Sequence, residues 1–233
     1  MGRYWFVNPQ RLVDERTLQM THKRLIMITG QVGLAAAILV GIGEFLLHYD
    51  KLARYTDTFA FFEGVTRERA TIGHFFGVFG APLYVVGAVH IYLMLRPAQE
   101  VAARVAGLMM AFACIVGAVW IGSRATAVEL VAAGGIEEQL ALYELRYESL
   151  LQVVRFGVLA LSIIFIWLCL TGRSHYPRAM AILNPIFLII VSFIIFFTIP
   201  TIGKFMMPIA LNVAYFVMFS VSLRVASKLK LEG

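Results

Sequence analysis

Six mostly apolar stretches, at roughly 25–47, 73–95, 103–124, 150–172, 179–199 and 204–226, take up most of this 233-residue chain. Each is close to the length of about 20 residues that a helix needs to cross the hydrocarbon core of a bilayer. In lipid, backbone N–H and C=O groups must be satisfied within the segment, so such runs fold as helices. Composition points the same way. The chain is 60% hydrophobic and only 15% charged, with a mean hydropathy of +0.81, too little polar surface to clad a soluble domain of this size. The predicted fold class is all-α, a polytopic membrane bundle of six transmembrane helices. One membrane domain covers 25–233, behind an interfacial N-terminal segment at 1–24.

The basic residues orient this bundle. Arg3, Arg11, Arg16, Lys23, Arg24, Arg96, Arg104, Arg173, Arg178, Arg224, Lys228 and Lys230 fall on one side if the N-terminus is cytoplasmic. The opposite loops carry Asp50, Asp57, Glu63, Glu68, Glu129, Glu137, Glu138 and Glu144. Both termini are therefore predicted to be cytoplasmic. Topology accounts for the net charge of +6, and nucleic acid is not an expected partner. Tyr4, Trp5 and Phe6 suit a headgroup layer, and Asn8-Pro9 could open a short surface helix. Cys114 and Cys169 lie in different spans at different depths, which argues against a disulfide.

Ionisable residues inside spans are costly without a partner or a task. Here they gather at the outer end: Glu44, His48, His74, Arg124, Glu148, Gln152, Arg155 and Lys204. Glu44 and His48 are four apart and share a helix face. Glu144, Glu148, Gln152 and Arg155 share another on a helix running from about 136 to 170. The inner end holds fewer polar residues, namely His90, Tyr92 and Asn184. This sorting suggests an outward-facing polar pocket, with Phe59, Phe61, Phe62, Phe75, Phe76 and Phe79 at its rim. Glu44, His48 and His74 are the candidate catalytic residues. Arg155, Glu148, Gln152, Lys204, Arg124 and Tyr84 are the candidate substrate-binding ones. Plainer roles compete: Arg124 and Lys204 snorkelling, His48 sitting among headgroups, Glu148 and Arg155 forming a structural ion pair.

Two chemistries suit the set. Glu44 with a His relay could move protons on a lipophilic substrate, with Arg155 holding an anionic group and the aromatics a cationic one. Glu44, His48, Asp50 and His74 also offer two imidazoles and two carboxylates to a divalent metal, without matching a metal-binding motif. Haem between His48 and His74 is disfavoured. Gly73, Gly77, Gly80 and Gly87 form a small-residue face on the second span, suited to packing within one chain or between copies in an oligomer.

Several motifs together resemble an uncharacterised family of bacterial six-span membrane proteins. They are Gly41-Ile-Gly-Glu44-Phe-Leu-Leu-His48-Tyr-Asp50, Ala81-Pro-Leu-Tyr84 with Gly87 and His90-Ile-Tyr92-Leu, and Tyr176-Pro-Arg178 with Asn184-Pro185. The resemblance implies this fold, a bacterial inner-membrane location and an acidic residue at position 44. It implies no activity. The expectation is a membrane protein that contacts lipids and binds a lipophilic or amphipathic small molecule in its pocket, with acid–base or metal-assisted catalysis. A proton- or ion-coupled transporter and a non-catalytic lipid- or partner-binding subunit are the alternatives.

Overall fold

The computed structural model describes residues 9–55, 59–134 and 137–229. These form seven α-helices and three short 3-10 turns, with no strand among the described residues. The helices are α1 (Pro9–His48), α2 (Arg67–Leu95), α3 (Glu100–Ala132), α4 (Glu137–Leu170), α5 (Pro185–Thr198), α6 (Pro200–Met206) and α7 (Ala210–Ser227). Tyr4, Trp5, Phe6 and Asn8 lie outside the described residues. Pro9 does open a helix, but that helix is not a separate surface element: α1 continues through to His48.

Local chemistry sets the helix ends. Thr66 caps α2 by accepting from the Arg69 N–H at 3.3 Å, and Gln99 caps α3 through Ala102. α3 runs past its expected end at Arg124 to Ala132, and Gly134, at φ +65°, then turns the chain. Four segments, Met20–His48, Arg67–Leu95, Glu100–Ala132 and Glu138–Leu170, and the composite Pro200–Ser227 are long and apolar enough to cross a membrane.

The predicted helix over 179–199 departs from expectation. Arg178–Leu183 is a 3-10 turn, Asn184 is extended, and α5 begins only at Pro185. The residue before a proline is disfavoured in the helical region, and the Asn184 side chain instead caps the Phe187 N–H at 3.0 Å. At 14 residues, α5 is about 21 Å long, less than the hydrocarbon thickness.

The helices pack in a ring. α1 lies between α2 and α7, α3 between α2 and α4, and α5 against α6 and α7; α4 and α5 meet only sparsely. Glycines bring α1 and α2 together. A Cβ on Gly43 would stand 2.5 Å from the Gly77 backbone nitrogen, and one on Gly33 would stand 3.0 Å from the Gly87 Cα. The face formed by Gly73, Gly77, Gly80 and Gly87 is thus buried inside the chain, against α1, Ile121 and Phe219. It is not available to an oligomer partner.

At the end of the bundle that holds His90, the buried polar groups bond one another. His90 bonds the Ile26 carbonyl through Nδ1 at 2.8 Å and Ser222 through Nε2, and Ser222 meets the Tyr176 hydroxyl at 2.7 Å. Lys23 donates to the Ser227 and Leu229 carbonyls at 3.0 and 2.7 Å, tying the start of the first span to the end of the last. Cys114 and Cys169 are both free thiols, buried in the bundle.

Candidate functional site

At the opposite end, a cavity of about 380 Å³ opens inside the ring, within the size range of small-molecule sites. Glu44 and His48 reach it from the last turns of α1, and Trp120 and Arg124 from α3. Tyr147, Glu148 and Arg155 enter from α4, and Tyr55, Phe59 and Phe61 cover it from the loop between α1 and α2. Its lower flank, made by Leu151, Val154, Val158, Ile186, Ile189 and Leu211, is apolar. From Glu148 to Val158 this flank drops about 15 Å along α4.

Arg124 occupies the centre of the polar end. It is fully buried, which rules out the snorkelling role. The i, i+4 spacing puts Trp120 directly beneath it, and the guanidinium lies 3.8 Å from the indole centroid. Its Nη1 sits 3.3 Å from Glu44 Oε1, an ion pair without hydrogen-bond alignment. Nε, Nη1 and Nη2 all lack a hydrogen-bond partner, as does Trp120 Nε1. Buried polar atoms are nearly always paired, so four donors facing one end of a cavity mark where water or a polar ligand group is held.

Glu44 is held from its other side. Its Oε2 accepts from Asn212 Nδ2, and Asn212 Oδ1 accepts from the Tyr84 hydroxyl at 2.7 Å. Tyr84 is thus one step behind Glu44, not in the main cavity. It lines a separate void of about 40 Å³ with Glu44, Cys114, Asn212 and Tyr215, a volume that admits water. His48 packs against Phe61 at 4.1 Å and edge-on to Tyr55 at 5.5 Å, with Nδ1 unpaired.

The cavity therefore brings together Glu44, His48, Arg124, Glu148 and Arg155. Glu148 and Arg155 pair at 3.8 Å, both about half exposed. Three other candidates do not line it. His74 packs beside Gly122 of α3 and edge-on to Phe75, Gln152 is exposed, and Lys204 lies over the Phe205 ring while its carbonyl accepts from Tyr55. Of the aromatic rim, Phe59 and Phe61 line the cavity, and Phe62 is buried against them; Phe75, Phe76 and Phe79 point outward from α2.

The metal set does not assemble. Among the described residues no three His, Cys, Asp or Glu side chains converge as a metal-holding group. Asp50 is committed elsewhere: its carboxylate accepts from Arg54 Nε at 2.8 Å and from the Leu52 and Arg54 N–H groups. Arg54 also donates to Glu63 at 2.6 Å, and Arg69 donates to the Tyr49 carbonyl at 2.6 Å. These bonds form a clasp that folds the loop over the cavity. Burial pushes the Asp50 carboxyl up, but the Arg54 and backbone donors outweigh it and hold it below the ordinary carboxylate value. Bonds to the Asp50 and Glu63 carboxylates in turn hold the Arg54 guanidinium above its ordinary value.

Trp120, Tyr147 and Asn212 join the site beyond the candidates the sequence suggests, Asn212 being visible there only as a polar residue deep in the last span. Trp120 was findable from its four-residue offset to Arg124. Asn212 and Tyr147 had no such signal, because their partners are far away in sequence.

The profile of a family of unknown function, DUF6796, matches residues 20–228. The chain belongs to that family. The matched region takes in the whole DUF6796 bundle from the first span to the end of α7, including every residue lining the cavity. No curated protein and no solved structure matches the chain.

Proposed function

We propose that this protein is a six-span membrane protein of the bacterial inner membrane that binds an amphipathic small molecule in the cavity and acts on it by acid–base chemistry. The apolar helices support membrane residence. The sixth span is read from the Arg178–Leu183 turn stacked on α5. Together these give about 33 Å, enough to cross. With the termini cytoplasmic, the cavity faces outward beneath the loop. The observation that carries the reading is the buried Glu44–Arg124 pair at the polar end of a cavity that also holds His48, Glu144, Glu148 and Arg155 and whose lower flank is apolar. A polar head belongs beside Glu44, and a tail belongs between α4 and α5.

In this reading Glu44 is the group that gives or takes a proton, and Arg124 positions it. His48, with a free Nδ1 on the same helix face, relays the proton. Arg155 and Glu148, paired on α4, meet the ligand from the side. No step runs through a metal, since the donor set does not fit one. One observation favours a carrier instead: a small, mostly apolar void beside Glu44 also touches Asn212, Tyr84 and Tyr215, three polar side chains further along the bundle.

Native mass spectrometry of the detergent-purified protein tests the proposal. A lipid-sized added mass is expected on the wild type and should vanish in Leu151→Trp, which fills the apolar flank. A bare wild-type chain, or a mass indifferent to Leu151→Trp, defeats the ligand-site reading. Proton-driven flux in liposomes that disappears with Glu44→Gln would replace the enzyme by the carrier.

A further inference from the structure

Both the identity of the head group and the role of Glu44 follow from an imbalance in the cavity. Arg124 and Trp120 present four buried nitrogens without an aligned hydrogen bond, with the Tyr147 hydroxyl a neutral side-chain oxygen within reach of Arg124. A guanidinium has five donor hydrogens in a planar fork, and Glu44 faces only the Nη1 corner. The Trp120 ring covers one face of that fork. This arrangement suits two oxygens held in the guanidinium plane, as carboxylates and phosphates are. Arg124 and Glu44 line the cavity side by side, Arg124 fully buried and the Glu44 side chain 9% exposed, so a ligand there meets both. Asn212 holds the other Glu44 oxygen and can retain the side chain when it leaves Arg124.

We infer that the cavity receives an oxyanion on an apolar tail, a carboxylate or a phosphate monoester, which takes over Arg124 from the Glu44 carboxylate. Glu44 is then an internal stand-in for the ligand. The exchange swaps one anion for another on the same buried cation, and Glu44, left with only the neutral Asn212 amide, takes up a proton from solvent, so neither buried charge stays unpaired. The tail lies along Leu151, Val154, Val158, Ile186 and Ile189, and Arg155 offers a second cation beside that flank. This inference rests on the cavity being a ligand site.

Equilibrium binding to the full chain in nanodiscs, corrected for empty discs, tests it with three radiolabelled probes: dodecanoate, dodecyl phosphate and dodecyltrimethylammonium. At least one anionic probe is expected to bind. Binding of dodecanoate alone identifies a fatty carboxylate, and binding of dodecyl phosphate identifies a phosphate ester. Glu44→Gln should tighten that binding about tenfold by removing the competitor, and Arg124→Gln should weaken it by about tenfold or more. Trp120→Phe, which keeps the ring and deletes the donor, should weaken it a few-fold, and serves if Arg124→Gln does not fold. The opposite signs for the two members of one ion pair are decisive, since a merely structural pair would weaken binding from either side. Weakening by both overturns the stand-in role. Binding of the trimethylammonium probe in place of the anions overturns the head-group assignment and leaves the cavity standing. Binding of none of the three, with Leu151→Trp indistinguishable from wild type, removes the ligand site itself.

Discussion

Asp50 and Glu44 are six residues apart and have opposite fates. Glu44 turns inward to Arg124 and Asn212; Asp50 turns back on Arg54 and its own backbone. The motif containing both reads as one acidic patch, and a metal set drawn from it looked reasonable until the loop was folded. Side-chain direction within the last turn of α1 was legible, as the shared face of Glu44 and His48 shows. Direction beyond the helix end was not, because it depends on Arg54 and Arg69 reaching back. Asp50 also carries a pH prediction. Its carboxyl ionises more readily folded than unfolded, so its stabilisation is complete above the unfolded value of about 4 and is lost as pH falls through the lower folded value. Asp50→Asn should lower the melting temperature at pH 7, and the difference from wild type should shrink below about pH 4. A difference that is flat across that range would show that the clasp does not depend on the charge.

Among the elements, the α1–α2 pair shows how sequence spacing becomes geometry. The glycine face of α2 was visible as a pattern, and its partner was not, because Gly30, Gly33, Gly41 and Gly43 offer several possible faces. The structure chooses Gly33 and Gly43. Gly43 would drive a Cβ into the α2 backbone, which cannot give way as a side chain can, whereas Gly41 would meet only the Asn212 Cβ at 3.4 Å. Gly43→Ala should therefore destabilise by about 1–3 kcal/mol, the usual range for overpacking, and Gly41→Ala by much less. Thermal unfolding in detergent separates them, and equal effects would mean the helices are not in this close contact. α5 teaches the reverse lesson. Its apolar run predicts a full span, but Asn184-Pro185 divides it, a break written in the sequence as an extended residue before proline and a capping amide.

For the whole molecule, six apolar runs are enough to specify an all-helical bundle, and the polar residues they carry gather at the end where the cavity lies. What hydropathy could not supply was the ring order, in which α1 meets α7 while α4 and α5 barely touch. That order depends on side-chain shape and on pairings such as Tyr84–Asn212 across 128 residues. Topology remains directly testable. Cysteine introduced as Leu52→Cys, on the loop over the cavity, should react with a membrane-impermeant maleimide added to intact cells. Arg173→Cys, beyond α4 at the other end, should react only after lysis. The native thiols are buried and give little background. The opposite pattern would invert the orientation drawn from the basic residues.

The meeting of the first and last spans bears on how the protein is made. Glu44 enters the membrane early in synthesis, before Arg124 exists and long before Asn212 has been translated. Until α7 arrives, the acid has no amide to hold it, and Lys23 has no C-terminal carbonyls to grip. A ribosome that stops short of α7 thus leaves a membrane-embedded carboxyl group with half its partners missing. Such a fragment carries its own mark of incompleteness, in a form that membrane quality control can recognise.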